Sequence, residues 1–196
     1  MKAQRSTRWL TLGTCALLVC GAANSTTLAR MSVAQMARAA QLVVRARCVS
    51  NSTEWNVGEI WTFTSFDVEE TWKASRAANV SSYLTVRLLG GTVGNLTSSV
   101  SGVPHFVPGE DVVLFLESTP RGDFSIVSWV QGTFRIRRDL RTGQQIAIQD
   151  TASFDTFEVA SHQFRATGLR NVPIESLRAM VSAGSCVTAI CAQGTK

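Results

Sequence analysis

The chain has 196 residues, 45% hydrophobic and only 17% charged, against about a quarter charged in an ordinary domain. That balance excludes intrinsic disorder, and the length suits one domain with short extensions. The net charge of +5 narrows to 16 basic against 14 acidic residues once Lys2, Arg5 and Arg8 are set aside, so no basic stripe remains for nucleic acid.

Those three cations belong to a segment with the order of a secretory signal peptide. MKAQRSTR is a positive n-region, WLTLGTCALLVCGAA a short apolar stretch, and small residues follow. Cleavage is expected between about residues 22 and 29, after Ala22, Ala23, Ser25 or Ala29. A lipoprotein signal at Cys20 is the rival reading, and Val19 is larger than the residue such signals carry before their cysteine. No other stretch is long and apolar enough for a bilayer, so export without a stable membrane span is the expectation. The division that follows is a signal peptide over 1–29, a β-barrel domain over 30–150 and a C-terminal extension with a short helix over 151–196.

Residues 32–40 read as a short helix capped by Ser32, with Val33, Met36, Ala37 and Ala40 on one face. The period then changes to two. Leu42, Val44, Ala46 and Cys48 point one way, Arg45 and Arg47 the other, as in a half-buried strand. NSTEWNVGE, 51–59, reads as a polar loop, and 60–73 as a long strand rich in β-branched and aromatic residues. A strand over 83–91 alternates through Leu84, Val86 and Leu88. The glycine- and serine-rich 90–102 reads as a loop running into VPHFVPGED. DVVLFLES, 111–118, is apolar enough to be a central strand filling the barrel core. TPRGD is a turn, and 123–139 a strand with a bulge at Gly132. LRTGQQ is another turn and QIAIQ a last short strand. In the tail, PIESLRAMVSA reads as a helix with Pro173 in its first turn and Ile174, Leu177 and Val181 on one face. Six or seven short, mostly antiparallel strands with a helix at each end make a mainly β fold. A small OB-like barrel is the economical architecture and a sandwich the alternative.

Four stretches carry a resemblance. They are A-x-L-V-V-x-A-x-C at 40–48, T-W-K at 71–73, L-T-V-R-L-x-G-G at 84–91 and P-x-F-x-x-G-E-D-V-V-L-F-L at 104–116. Their order resembles a group of bacterial exported proteins of uncharacterised role. It is also similar to the netrin-like module of the tissue inhibitors of metalloproteinases, over about residues 35–138. The resemblance implies an OB-type barrel. It does not carry the inhibitors' mechanism, which needs an N-terminal cysteine on the protease zinc and a disulfide framework. This chain's mature start is not expected to be cysteine and that framework is missing.

Beyond the signal, Cys48, Cys186 and Cys191 remain. Cys186 and Cys191 are disulfide candidates, with Cys48 then a buried thiol; pairing of Cys48 with either one is the other arrangement. Three cysteines without CxxC, and two distant histidines, do not read as a metal site; Asp67, Glu69 and Glu70 could supply oxygen ligands, but two of them alternate on a strand face and read as solvated. No cofactor is implied. His105 and Glu110 are the nearest to catalytic candidates, yet no GxSxG elbow accompanies them, and a proline-stiffened loop is the plainer reading of His105. His162 is more anonymous. Arg121-Gly122-Asp123 is ordinary turn chemistry before it is an adhesion tripeptide, and Asn51, Asn79 and Asn95 begin N-x-S/T triplets.

The aromatics offer more. Trp55, Trp61, Trp72 and Trp129 lie on or beside strands, and two of them with Phe63 on one face would make a binding platform. The binding residues expected are Trp55, Trp61, Phe63, His105 and Phe106, on surfaces formed by 51–59 and 90–109. The function expected is a non-enzymatic exported module that binds another secreted or envelope protein, a protease among the candidates. An exported hydrolase centred on His105 and a structural envelope component are the alternatives.

Overall fold

In the computed structural model, residues 29–75, 81–151, 156–158, 163–165 and 168–191 are described, the side chains of 156–158, 163–165 and 186–191 excepted. Helix α1, Val33–Ala39, begins where Ser32 accepts the Gln35 N–H and the Gln35 side chain accepts the Ser32 N–H, a reciprocal capping box. Strands β1 (Leu42–Asn56) and β2 (Glu59–Ala74) form one long antiparallel hairpin. β3 (Tyr83–Leu89) pairs with β2. β4 (Gly91–Val93) and β5 (Leu96–Ser98) make a separate small hairpin. β6 (Asp111–Ser118) and β7 (Phe124–Ile126) follow, then a 3₁₀ turn at Trp129–Gly132. β8 (Thr133–Arg138) and β9 (Gln145–Gln149) extend the sheet, and β10 (Thr156–Glu158) pairs with β11 (Gln163–Arg165) alone. β12 (Val172–Pro173) leads into helix α2, Ile174–Cys191.

The molecule is mainly β, with two helices and one large sheet of order β1-β2-β3-β7-β6-β8-β9-β12. β6 also pairs with β1, from Asp111 opposite Arg47 to Leu116 opposite Leu42. The β3–β7 pairing is parallel and the other strand pairings are antiparallel.

β1 and β6 are covered on both faces, and this explains their near-continuous apolar runs. Leu42, Val44, Ala46 and Cys48 join Val112, Leu114 and Leu116 in a first core, with Phe66, Leu84, Val86 and Leu88. Val43, Val113 and Phe115 face the other way, into a second core with Met36 and Ala37 of α1, Leu177 and Val181 of α2, and Phe134. The run 112–116 therefore does not fill one core, as expected from sequence; it alternates between two.

Four further expectations change. Residues 51–59 are not a loop: β1 continues to Asn56, turns at Val57-Gly58 and returns as β2. The glycine-rich loop contains the β4–β5 hairpin. At Gly132 there is a 3₁₀ turn between β7 and β8, not a bulge in one strand. Pro173 sits in β12, one residue before the helix it was expected to open.

Candidate functional site

The longest run of exposed strand is the outer half of β1, which with the outer half of β2 forms an arm. From Val49 through Trp55 every β1 residue is exposed. At its tip Asn56 pairs with Glu59 across Val57 and Gly58, whose φ values are 49° and 85°. Positive φ at both central residues marks a type I′ turn, whose first position favours Asn, Asp or Gly. A β-branched valine there is strained by about 1–2 kcal/mol, since its Cβ crowds the carbonyl. Val57 is 91% exposed, so burial does not offset that cost.

Cross-strand pairing sorts the arm into two faces. Trp55 lies opposite Ile60, Thr53 opposite Thr62 and Asn51 opposite Thr64. Glu54 opposite Trp61 and Ser52 opposite Phe63 make the other face. Trp55 therefore does not share a platform with Trp61 and Phe63. The β4–β5 hairpin seats on the Thr53 face. Thr53 Oγ1 donates to Thr92 O at 2.6 Å and Thr62 Oγ1 to Gly90 O at 2.7 Å. Gly91 makes the approach possible: a Cβ there would lie 2.5 Å from Thr62 Oγ1 and 2.8 Å from Thr53 Cγ2. Leu96 at this second tip is 58% exposed and Trp55 54%.

On the opposite face, Trp61 and Phe63 are half-buried. Arg87 of β3 stacks over Trp61 with its guanidinium carbon 4.3 Å from the ring centre, and pairs with Asp123 at 3.7 Å. Asp123, the third residue of the Arg-Gly-Asp tripeptide, also accepts from the Thr119 hydroxyl, so its carboxylate is already engaged within the turn.

The loop at 103–110 is a clamp. Val103 and Phe106 are buried in the first core, and Phe106 meets Phe66 edge-on at 5.1 Å. Phe106 is thus a core residue and not part of a binding surface. His105 is exposed, and its carbonyl accepts from Arg135 at 2.7 Å. Arg135 also pairs with Glu110 at 2.5 Å and Asp150 at 2.9 Å. Glu110 accepts the Val107 N–H at 3.0 Å as well. Burial works against the charge of Arg135, but the hydrogen bonds and charges of Asp150 and Glu110 outweigh it and raise its pKa. Glu110 is held in place as a tie, not aimed at His105 as an acid–base partner. Asn51 donates to Phe106 O and accepts from Thr64, which ties the loop to β1 and engages the amide nitrogen a glycan would need.

Cys48 is a buried free thiol, and burial, then the charge of Glu110, pushes its pKa up, the opposite of an activated cysteine. The side chains of Cys186 and Cys191 lie outside the described residues, as do His162 and Asn79; the backbone of 186–191 is helical. Asn95 is exposed at the β4–β5 turn. Glu69 and Glu70 are ion-paired with Arg45 at 3.1 and 3.3 Å and so are not free carboxylates. Among the described residues no group of three or more His, Cys, Asp or Glu is placed to hold a metal, and no helix is long and apolar enough to cross a membrane.

Compared with protein-family models, with curated proteins and with solved structures, the chain matches none.

Proposed function

We propose that this chain is an exported, non-enzymatic binding module that grips a protein partner with the β1–β2 arm and the adjoining β4–β5 hairpin. The observation that carries this reading is Val57. A strained, β-branched residue is held almost fully in solvent at the end of an arm that contributes little to either core. Trp55 lies two residues from it in β1, and Leu96 is exposed at the tip of the adjoining hairpin; aromatic and aliphatic anchors of this kind dominate protein interfaces. Glu54 and Glu59 flank it, which favours a partner with basic groups around an apolar pocket and disfavours an anionic lipid surface.

An OB-like barrel is the scaffold proposed. The cyclic run of pairings β1-β2-β3-β7-β6-β1, with β3 and β7 parallel, supports closure. Export rests on the n-region and apolar stretch of residues 1–23. The hydrolase alternative loses ground because Glu110 is committed to Arg135 and to the Val107 N–H.

The test is site-specific photo-crosslinking from position 57 in cells producing the full chain, with position 140, fully exposed elsewhere on the molecule, as the control. One discrete protein adduct from 57 and not from 140, lost with Trp55→Ser, is expected. The same adducts from both positions, or none from 57, would refute the reading.

A further inference from the structure

Away from the arm tip, a cavity of about 360 Å³ is lined by Trp61, Arg87, Glu117, Ser118, Ser125 and Trp129, among others. That volume lies within the range of small-ligand sites. We propose that it binds a neutral saccharide.

The first ground is the construction of the Trp129 wall. Ser128 and Trp129 are consecutive residues with φ of 53° and 52°. Of the four non-glycine residues with positive φ in the described chain, one is the arm tip, one is the tolerant Asn171, and these two form the cavity turn. The strain is over-determined. Gln131 donates from Nε2 to Ser128 Oγ at 2.8 Å and from its backbone N–H to Ser128 O at 3.0 Å. Thr133 Oγ1 donates to Trp129 O at 3.1 Å, and Val130 N–H to Gly102 O at 3.2 Å. Gly132 leaves no room for a Cβ against the Val127 carbonyl, so this packing of the turn requires glycine there. Strain kept by so many ties is characteristic of a pre-organised site.

The second ground is the chemistry of the lining. One face of Trp61 already holds Arg87, so an incoming cation would meet a like charge there. Arg87, the one cation of the lining, is already paired with Asp123 at 3.7 Å and shares the cavity with Glu117, so an anion finds no surplus positive charge there. A neutral ligand with both apolar faces and hydrogen-bonding edges satisfies these constraints. A pyranose ring has that character: its C–H faces suit indole walls, and its hydroxyl rim suits a guanidinium, a carboxylate and the hydroxyls of Ser118 and Ser125. Trp61 belongs to the β2 half of the arm, but neither Val57 nor Trp55 lines the cavity.

The experiment is isothermal titration of the full chain with cellotetraose, maltotetraose, mannotetraose and chitotetraose. At least one is expected to saturate with a Kd in roughly the micromolar to millimolar range. Trp129→Ala should weaken that binding at least about tenfold, Trp129→Phe should retain most of it, and Leu140→Asn, at a fully exposed position elsewhere, should leave it unchanged. If Trp129→Ala does not fold, Glu117→Ala and Ser125→Val carry the test, each with a loss of about threefold or more. Saturation by none of the four sugars, or unchanged affinity in the folded cavity variants, would overturn the proposal.

Discussion

Cys48 shows how one buried atom sets a pH dependence. It packs among Phe66, Phe106 and Val112 in the first core. Burial and then Glu110 raise its pKa above 9.0. An unfolded chain releases the thiol proton near 9.0 while the folded chain keeps it, so the folded state binds more protons above that pH. Stability attributable to the thiol is complete below about pH 8 and falls as pH rises toward the folded pKa. Lys73 acts in the other direction. Burial lowers its pKa from 10.5, so its contribution grows as pH rises through the folded value toward that figure. Lys73 is common to wild type and Cys48→Ala, so their difference isolates the thiol. Urea unfolding at about pH 8 and about pH 10 should show wild type losing more stability than Cys48→Ala across that interval. Equal losses would contradict this account. The sequence alternation already put Cys48 inward with Leu42, Val44 and Ala46, and no spacing rule reached the Glu110 that sits near it.

Among the elements, what could be read in advance depends on whether one face is buried. Helix α1 was legible because Val33, Met36, Ala37 and Ala40 recur at helical spacing and all end in one core. β3 was legible for the equivalent reason at period two. The arm was not. Its β1 half is exposed at every residue from Val49 to Trp55, so burial imposes no alternation on NSTEWN, and its polar composition imitates a loop. The turn at Val57-Gly58 also lacks the usual Asn-Gly signature. Phe106 carries no periodic signal in VPHFVPGED, and only the fold shows Val103 and Phe106 reaching inward together. The strained Ser128-Trp129 turn carries no local signal, since neither residue type favours positive φ. The candidate site was therefore legible in its residues, Trp55 and Trp61 in particular, and illegible in its geometry, which puts those two on opposite faces.

Over the whole molecule, two cores share β1 and β6, and the C-terminal helix belongs to the second. α2 rests on α1 with backbone nearly touching: a Cβ on Gly184 would meet Ala34 Cα at 2.8 Å. Lys73 Nζ reaches the Ala37 and Ala40 carbonyls at 2.6 and 2.5 Å, closing the end of α1 onto β2. Arg178 joins α2 to the same strand through Glu70 and over the Trp72 ring. The tail is thus a structural partner of the sheet rather than an appendage. Leu177→Ala removes a fully buried side chain and should lower unfolding free energy by about 2–4 kcal/mol. A denaturant midpoint close to wild type would show that α2 is dispensable to the second core.

That rigid double core leaves the arm free to carry a costly tip, and the central claim is that Val57 serves binding at the expense of stability. Val57→Asn tests it in one variant, because asparagine tolerates positive φ and removes the exposed isopropyl group. Thermal unfolding and photo-crosslinking from a neighbouring arm position should be measured on the same preparation. The account predicts a stability gain of about 1 kcal/mol together with loss of the partner adduct. A variant that is no more stable than wild type and still forms the adduct would contradict it.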